Sequence, residues 1–206
     1  MASEYIFRFL SHTSIFVIYA FGIYYDMTIL ADDMMRAVGP RSFGGNAKFL
    51  TIWNMNFQTF YFGLCILTDL VLSCNKRSKF GRRLCRFRDW FLAAIAFPIG
   101  MLVVLMFWLI YAVDRELVFP EWLDKIFPSW LNHVMHTTVI PFLFVDMYLV
   151  QHNYPSRKSG IFGTFVVGLT YLAWFKKLYK YWRGNGESGL KYDYIYLLWY
   201  CWHCHS

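Results

Sequence analysis

The sequence predicts an all-α protein, a polytopic bundle of transmembrane helices, and three observations support this prediction. Hydrophobic residues make up 58% of the 206 residues, charged residues only 16% and aromatic residues 22%. A soluble domain usually has about 25% charged residues, and so short a chain encloses too little interior to hide this much apolar surface. The apolar residues are also gathered into long runs with short charged connections. Disordered, collagen-like, coiled-coil and soluble globular proteins are therefore excluded.

Five apolar runs approach the length of about 20 residues that a helix needs to cross a membrane. They cover residues 5–25, 49–74, 90–113, 130–150 and 160–175. The third run contains no charged residue, and Pro98 within it predicts a kink because proline interrupts helical hydrogen bonding. We interpret residues 1–175 as one membrane-embedded helical domain.

Residues 176–206 differ from the preceding spans because they form a basic, aromatic segment. Its last apolar stretch, residues 194–204, is about half the length of a crossing helix. The expected architecture is therefore five spans followed by a truncated or divergent sixth. Either the fifth helix does not cross the membrane fully, or this segment lies in the membrane interface.

Basic residues in the short connections predict the orientation of the chain, because such residues concentrate on the cytoplasmic side. The connection 151–159 is basic, whereas 114–129 is acidic. The net charge of +7 is explained by these basic connections and the membrane orientation that they indicate. The expected partners are therefore membrane lipids and not nucleic acid. The endoplasmic reticulum and the plasma membrane both remain open as locations. The connection between the second and third spans is the most basic and contains Lys76, Arg77, Lys79, Arg82, Arg83, Arg86 and Arg88.

The cysteines and histidines predict neither a disulfide framework nor a metal centre. The five cysteines have no regular spacing. Of the six histidines, His12, His203 and His205 lie in terminal segments, which leaves too few for a multi-histidine centre. Cys201, His203, Cys204 and His205 are too close in sequence for a tetrahedral site. We therefore expect no bound metal and no cofactor.

Two groups of polar residues lie within the predicted spans, where polar side chains are costly and indicate function. Asp69 and Asp146 lie nearer the cytoplasmic ends, and we interpret them as polar contacts between helices. The group in the second span shares one helix face, and the group in the fourth lies within about one helical turn. These groups are Thr51, Asn54 and Gln58 in the second span and Asn132, His133 and His136 in the fourth.

The depths of the two groups predict that Thr51 and His136 meet. At 1.5 Å per residue, Thr51 lies roughly 3 Å and His136 roughly 9 Å below the same surface, a difference of about one turn. An imidazole beside a hydroxyl can accept its proton and make threonine a nucleophile. Asn54, Gln58 and Asn132 are then candidates to orient the site or to donate to an oxyanion.

Alternatives remain at these positions. A threonine in a membrane helix commonly bonds to the backbone carbonyl four residues earlier. His133 and His136, three residues apart, could instead be metal ligands. Asp114, at the outer end of the third span, is a candidate to orient His136, and Asn132 is its rival.

Several short segments between residues 48 and 174 carry a resemblance to a known family, which extends more loosely to the N-terminal region. They include K-F-L-T at 48–51, A-F-P at 96–98, D-R-E at 114–116 and, most specifically, W-L-N-H-V-M-H-T at 130–137. The chain resembles the androgen-induced protein family of membrane threonine hydrolases. The resemblance implies hydrolysis of fatty acid esters of hydroxy fatty acids, with Thr51 as nucleophile, His136 as base and His133 in a supporting role.

The sequence therefore predicts a membrane-embedded lipid ester hydrolase without a cofactor. The alternative is a non-catalytic membrane regulatory protein, in which polar faces only pack helices and the basic connection recruits partners. The segment after Phe175 favours this alternative, because the family continues there into a sixth span. A transporter or channel is less favoured, since five spans lack the repeat symmetry of many carriers.

Overall fold

The computed structural model describes residues 2–38, 43–75 and 77–185, and these ranges contain helices, turns and irregular segments but no strand. The predicted all-α fold class is confirmed. Within the same ranges, four helical segments are long and apolar enough to cross a membrane: Ser3–Ala37, Leu50–Cys74, Lys79–Val113 and Arg157–Tyr181. The shorter apolar helix Val139–Leu149 lies in the fourth predicted span. The count of five spans remains a prediction.

Eight α-helices follow one another along the described chain. They are α1 (Ala2–Met27), α2 (Ile29–Val38), α3 (Leu50–Cys74), α4 (Lys79–Phe91), α5 (Phe97–Val113), α6 (Ser129–His136), α7 (Val139–Leu149) and α8 (Arg157–Asn185). A π turn (Leu92–Ala96) joins α4 to α5, and 3₁₀ turns cover Gly45–Lys48, Arg115–Leu117 and Glu121–Lys125. The pairing of α1 with α3 is the most extensive helix contact.

The kink predicted at Pro98 takes the form of the π turn between α4 and α5. Proline has no N–H, so Pro98 leaves the carbonyl of Ala94 without its usual donor. That carbonyl accepts a hydrogen bond from Thr164 Oγ1 at 2.6 Å. The carbonyl of Ala96 accepts one from Gln58 Nε2 at 2.9 Å. Side chains from α8 and α3 are therefore attached to the distorted turn.

The fourth predicted span, residues 130–150, is not one helix but two short helices with a break between them. The first, α6, ends at His136, and α7 begins three residues later. Pro141 explains the break, because it cannot donate to the carbonyl of Thr137 and its ring clashes with that carbonyl. At the end of α6, the carbonyl of His136 accepts a hydrogen bond from Trp108 Nε1 at 2.7 Å.

The fifth predicted span, 160–175, lies within α8, which continues past it to Asn185. The first part of the predicted basic segment is therefore helical. The apolar stretch 194–204, with its cysteines and histidines, lies outside the described residues. Exposed apolar side chains cover one face of α8, among them Ile161 and Phe162 at 70% and 68% exposure. Such a surface is typical of a helix that faces lipid.

Candidate functional site

Thr51 and His136 meet at the end of the bundle where α3 begins. Thr51 lies in the first turn of α3, and His136 is the last residue of α6. Their side chains are in contact, with Thr51 Oγ1 3.3 Å from His136 Nε2. Thr51 is partly exposed, whereas His136 is buried. A hydroxyl that can be reached from outside therefore lies against a protected imidazole.

The second ring nitrogen of His136 determines which nitrogen carries the proton. Nδ1 lies 2.8 Å from Asn132 Oδ1 and 3.1 Å from the backbone oxygen of Asn132. A backbone carbonyl can only accept, so Nδ1 is the protonated nitrogen of the neutral ring. Nε2 therefore presents its lone pair to Thr51, and the threonine hydroxyl donates to it. This is the tautomer that a general base requires.

Residues of α5 hold the His136 ring in place. Phe107 stacks on the imidazole with a centroid separation of 3.7 Å and an interplanar angle of 13°. The indole of Trp108 donates to the His136 carbonyl, as described above. The stacking of Phe107 on one face and the hydrogen bonds of Nδ1 with Asn132 limit rotation of the ring. The position of Nε2 is therefore set before any substrate binds.

Two buried amides follow Thr51 along the same face of α3. Gln58 Nε2 donates to the carbonyl of Ala96 at 2.9 Å and to Asn54 Oδ1 at 3.0 Å. Because the backbone carbonyl fixes the Gln58 amide, the oxygen of Asn54 must face Gln58. The amide nitrogen of Asn54 then has no hydrogen-bond partner among the described residues, although it is buried. A buried donor without a partner costs about 1–3 kcal/mol, which suggests a binding role.

Two other predicted site residues lie outside this constellation. Asp114 is exposed, and its carboxylate accepts from the backbone N–H of Glu116, so it caps a 3₁₀ turn. Among the described residues, Asn132 therefore takes the orienting position for which Asp114 was a candidate. His133 is exposed, and its Nδ1 lies 3.0 Å from Thr137 Oγ1. We define the Thr51 site as Thr51, Asn54, Gln58, Asn132 and His136.

A second buried polar group lies toward the other end of α3. His12 links two carboxylates, with Nδ1 2.7 Å from Asp69 Oδ2 and Nε2 2.9 Å from Asp146 Oδ1. Tyr61 donates a short hydrogen bond to the second oxygen of Asp146. Cys65 Sγ lies 3.9 Å from the first oxygen of Asp146.

The segment after α7 extends this group. His152 Nε2 lies 3.2 Å from Asp146 Oδ2, and its Nδ1 lies 2.8 Å from Asp89 Oδ1. Asp89 also pairs with Arg88 at 2.7 Å and accepts from the backbone N–H of Asn153 at 2.9 Å. We define the Asp146 cluster by its six central residues, which are His12, Cys65, Asp69, Asp89, Asp146 and His152.

This cluster was not predicted, because His12 was counted with the terminal segments. A signal was nevertheless present, because His12 lies inside the first apolar run. Counted from the cytoplasmic ends of their spans, His12 lies roughly 10 Å deep, Asp69 roughly 8 Å and Asp146 roughly 6 Å. The depth comparison that paired Thr51 with His136 would have grouped these three residues as well.

Comparisons with known proteins find a matching family and several similar proteins. Residues 7–183 match the family described as FAR-17a/AIG1-like protein. The chain is 43% identical over 140 residues to the androgen-induced gene 1 protein of Homo sapiens, covering 65% of this chain and 59% of the relative. It is 38% identical over 118 residues to the androgen-dependent TFPI-regulating protein of Mus musculus, covering 57% and 51%. The chain thus spans just over half the length of these relatives. No solved structure matches.

Proposed function

The chain belongs to the FAR-17a/AIG1-like protein family, and we propose that it is a membrane-embedded lipid ester hydrolase with Thr51 as nucleophile and His136 as general base. The names of its relatives refer to androgen induction and TFPI regulation and state no catalytic activity. The proposal therefore depends on the geometry of the Thr51 site. The supporting observation is the contact of 3.3 Å between Thr51 Oγ1 and His136 Nε2. Asn132 on the opposite ring nitrogen completes a nucleophile, a base and an orienting residue.

The proposed reaction proceeds in two steps. His136 Nε2 takes the hydroxyl proton while Thr51 Oγ1 attacks the ester carbonyl. The resulting imidazolium gives that proton to the leaving alcohol, and an acyl-threonine remains. His136 then deprotonates a water molecule, which attacks the acyl carbonyl and releases the fatty acid. The imidazolium returns its proton to Thr51 Oγ1, which restores the starting state.

Asn54 is the proposed donor to the oxyanion that forms in both steps. Its buried amide nitrogen lacks a partner among the described residues, and it lies one helical turn from Thr51. Gln58 holds the Asn54 amide so that this nitrogen points away from the bond between them. A donor aligned before the reaction stabilises developing negative charge without reorganisation.

The proposed substrates are fatty acid esters of hydroxy fatty acids, on the resemblance described above. The first turn of α3 is a suitable place for such a substrate, because an ester group in a bilayer lies near the headgroups. The endoplasmic reticulum and the plasma membrane are the proposed compartments. A second candidate function is a non-catalytic membrane regulatory protein, which the name "TFPI-regulating" of several relatives favours.

Hydrolysis by the full chain in lipid nanodiscs tests the proposal. We expect release of free fatty acid from a branched fatty acid ester and covalent labelling by a fluorophosphonate probe. Both should be lost in Thr51→Ala and in His136→Ala and retained in Thr51→Ser. Absence of hydrolysis and labelling in the wild type would support the regulatory protein instead. Full turnover in either alanine variant would refute the assignment of residues.

A further inference from the structure

We propose that the Asp146 cluster binds one structural Zn²⁺ ion. The ligands are His12 Nε2 from α1, Cys65 Sγ from α3, Asp146 from α7 and His152 Nε2 from the segment after α7. This site is separate from the Thr51 site, since Cys65 lies about 21 Å from Thr51 along α3. The proposal goes beyond the hydrolase function and replaces the expectation that no metal is bound.

Three of the donor atoms already have the spacing of a metal site. His12, Cys65 and Asp146 are fully buried, and their donor atoms all lie within 4.8 Å of one another. His12 Nε2 and Cys65 Sγ lie 2.9 Å and 3.9 Å from the same carboxylate oxygen. Ligand atoms around tetrahedral zinc are about 3.3–3.6 Å apart, given the usual bond lengths. The observed distances lie on both sides of this range.

His152 supplies an independent indication of a ligand. Its side chain is only 1% exposed, and Nε2 lies 3.2 Å from Asp146 Oδ2. Nε2 nevertheless makes no hydrogen bond with acceptable geometry to any described residue. A buried nitrogen that points toward a carboxylate without bonding to it calls for another partner. A metal ion bound to Asp146 would be that partner.

Both histidines also have a carboxylate behind the ring. His12 Nδ1 lies 2.7 Å from Asp69 Oδ2, and His152 Nδ1 lies 2.8 Å from Asp89 Oδ1. A histidine that binds metal through one nitrogen typically donates its other N–H to a carboxylate, which fixes the ring and the tautomer. This arrangement occurs twice at Asp146, with His12 Nε2 next to Oδ1 and His152 Nε2 next to Oδ2.

The charged groups around the centre suit a divalent ion. The thiolate of Cys65 and the carboxylate of Asp146 together neutralise Zn²⁺, and the two imidazole rings bind it as neutral ligands. The guanidinium groups of Arg8 and Arg88 neutralise the two outer carboxylates, at 2.6 Å and 2.7 Å. Each ring then donates from Nδ1 and coordinates through Nε2. Binding releases the thiol proton to solvent.

The ligand set also selects the metal. Ca²⁺ and Mg²⁺ bind through oxygen atoms, whereas two imidazoles, one thiolate and one carboxylate suit Zn²⁺. Four protein ligands close the coordination shell, which is characteristic of a structural site. The ion would connect α1, α3, α7 and the following segment.

Metal analysis of the purified full chain in detergent tests the proposal. We expect about one Zn²⁺ per chain in the wild type and a large loss in Cys65→Ser and His12→Gln. Cys74→Ser and His133→Gln are matched controls at exposed positions, and they should retain the metal. Substitution with Co²⁺ should give a thiolate-to-cobalt charge-transfer band in the wild type that is absent in Cys65→Ser.

Two results would overturn the proposal. One is a wild-type protein, expressed with zinc in the medium, that contains far less than one equivalent and shows no cobalt–thiolate band. The other is equal zinc content in the wild type and in Cys65→Ser. The cobalt spectrum of the wild type decides the question even if a variant fails to fold.

Discussion

The Thr51 site and the Asp146 cluster are both polar and buried within an apolar bundle, but they are built in opposite ways. The Thr51 site consists of uncharged side chains, is partly open at Thr51, and keeps one amide nitrogen without a partner among the described residues. The Asp146 cluster is charged, and its side chains link five separate segments, which are α1, α3, α4, α7 and the segment after α7. The Thr51 site therefore combines an accessible hydroxyl with uncharged partners, whereas the Asp146 cluster joins charged groups from distant parts of the chain.

The largest expected effect is a loss of activity without a loss of stability at the Thr51 site. Thr51→Val removes the nucleophile but keeps the shape of the side chain, so kcat/KM for ester hydrolysis should fall by about 10³-fold or more. The thermal unfolding midpoint should be unchanged. Thr59→Val is the matched control, because Thr59 Oγ1 only bonds to the backbone carbonyl of Met55. A similar loss in both variants would mean that the assay reports packing and not nucleophilicity.

In the Asp146 cluster we expect a substitution to lower stability and to leave turnover unchanged. Asp146→Asn leaves His12 and His152 without their shared carboxylate, and breaking a buried pair costs about 3–5 kcal/mol. Thermal unfolding in detergent should show this loss, while turnover per folded molecule should be retained. Asp124→Asn is the control, because its pair with Arg115 is exposed and contributes at most about 1 kcal/mol. Equal stability of the two variants would contradict the structural role of the cluster.

Asn54 tests whether the unpaired amide belongs to the chemistry. Asn54→Ala should lower kcat by about 10²–10³-fold with little change in KM, because an oxyanion donor acts in the transition state. Asn56→Ala is the control, since Asn56 is exposed and its amide bonds to the backbone of Ile52. A rise in KM at constant kcat would instead assign Asn54 to substrate binding.

The smallest effect is expected where α8 packs against the π turn. A Cβ at Gly163 would lie 2.7 Å from the Cβ of Ala94, so Gly163→Val should cost about 1–3 kcal/mol through overpacking. Gly168→Val on the same helix meets nothing within 4 Å and should be neutral. Thermal unfolding measures both variants. The zinc content should be unchanged in both variants, since no residue of the Asp146 cluster lies in α8.

Composition and span length were sufficient to predict the fold class. Pro98 also predicted a kink, and Pro141 lies at the second break discussed above. The form of each irregularity was not predictable. At Pro98 the helix forms a π turn, in which Thr164 of α8 donates to the Ala94 carbonyl and Gln58 of α3 donates to the Ala96 carbonyl. Both partners are distant in sequence. Pro141 separates α6 from α7, and Trp108 of α5 donates to the carbonyl of His136 at this break. Local sequence locates such a defect, but tertiary contacts determine its geometry.

The contact of Thr51 with His136 was predictable because both residues lie at similar depth and match one family pattern. The depth of a residue gives only its position along the membrane normal, however. It does not show which faces of two helices contact each other. The orienting residue was therefore left open between Asn132 and Asp114. The bonds of His12 to Asp69 and Asp146 span 57 and 134 residues, and no local pattern connects them.

The π turn between α4 and α5 has a consequence for how the protein responds to its bilayer. A chain of hydrogen bonds runs from the Ala96 carbonyl through Gln58 to the amide of Asn54. Mismatch between a long helix and the surrounding hydrocarbon is relieved by tilting or bending, and a π turn is a natural place for bending. A change in bilayer thickness would therefore bend the helix at the π turn and, through Gln58, reorient the amide of Asn54. We expect the esterase rate to vary with the acyl-chain length of the host lipids for this reason.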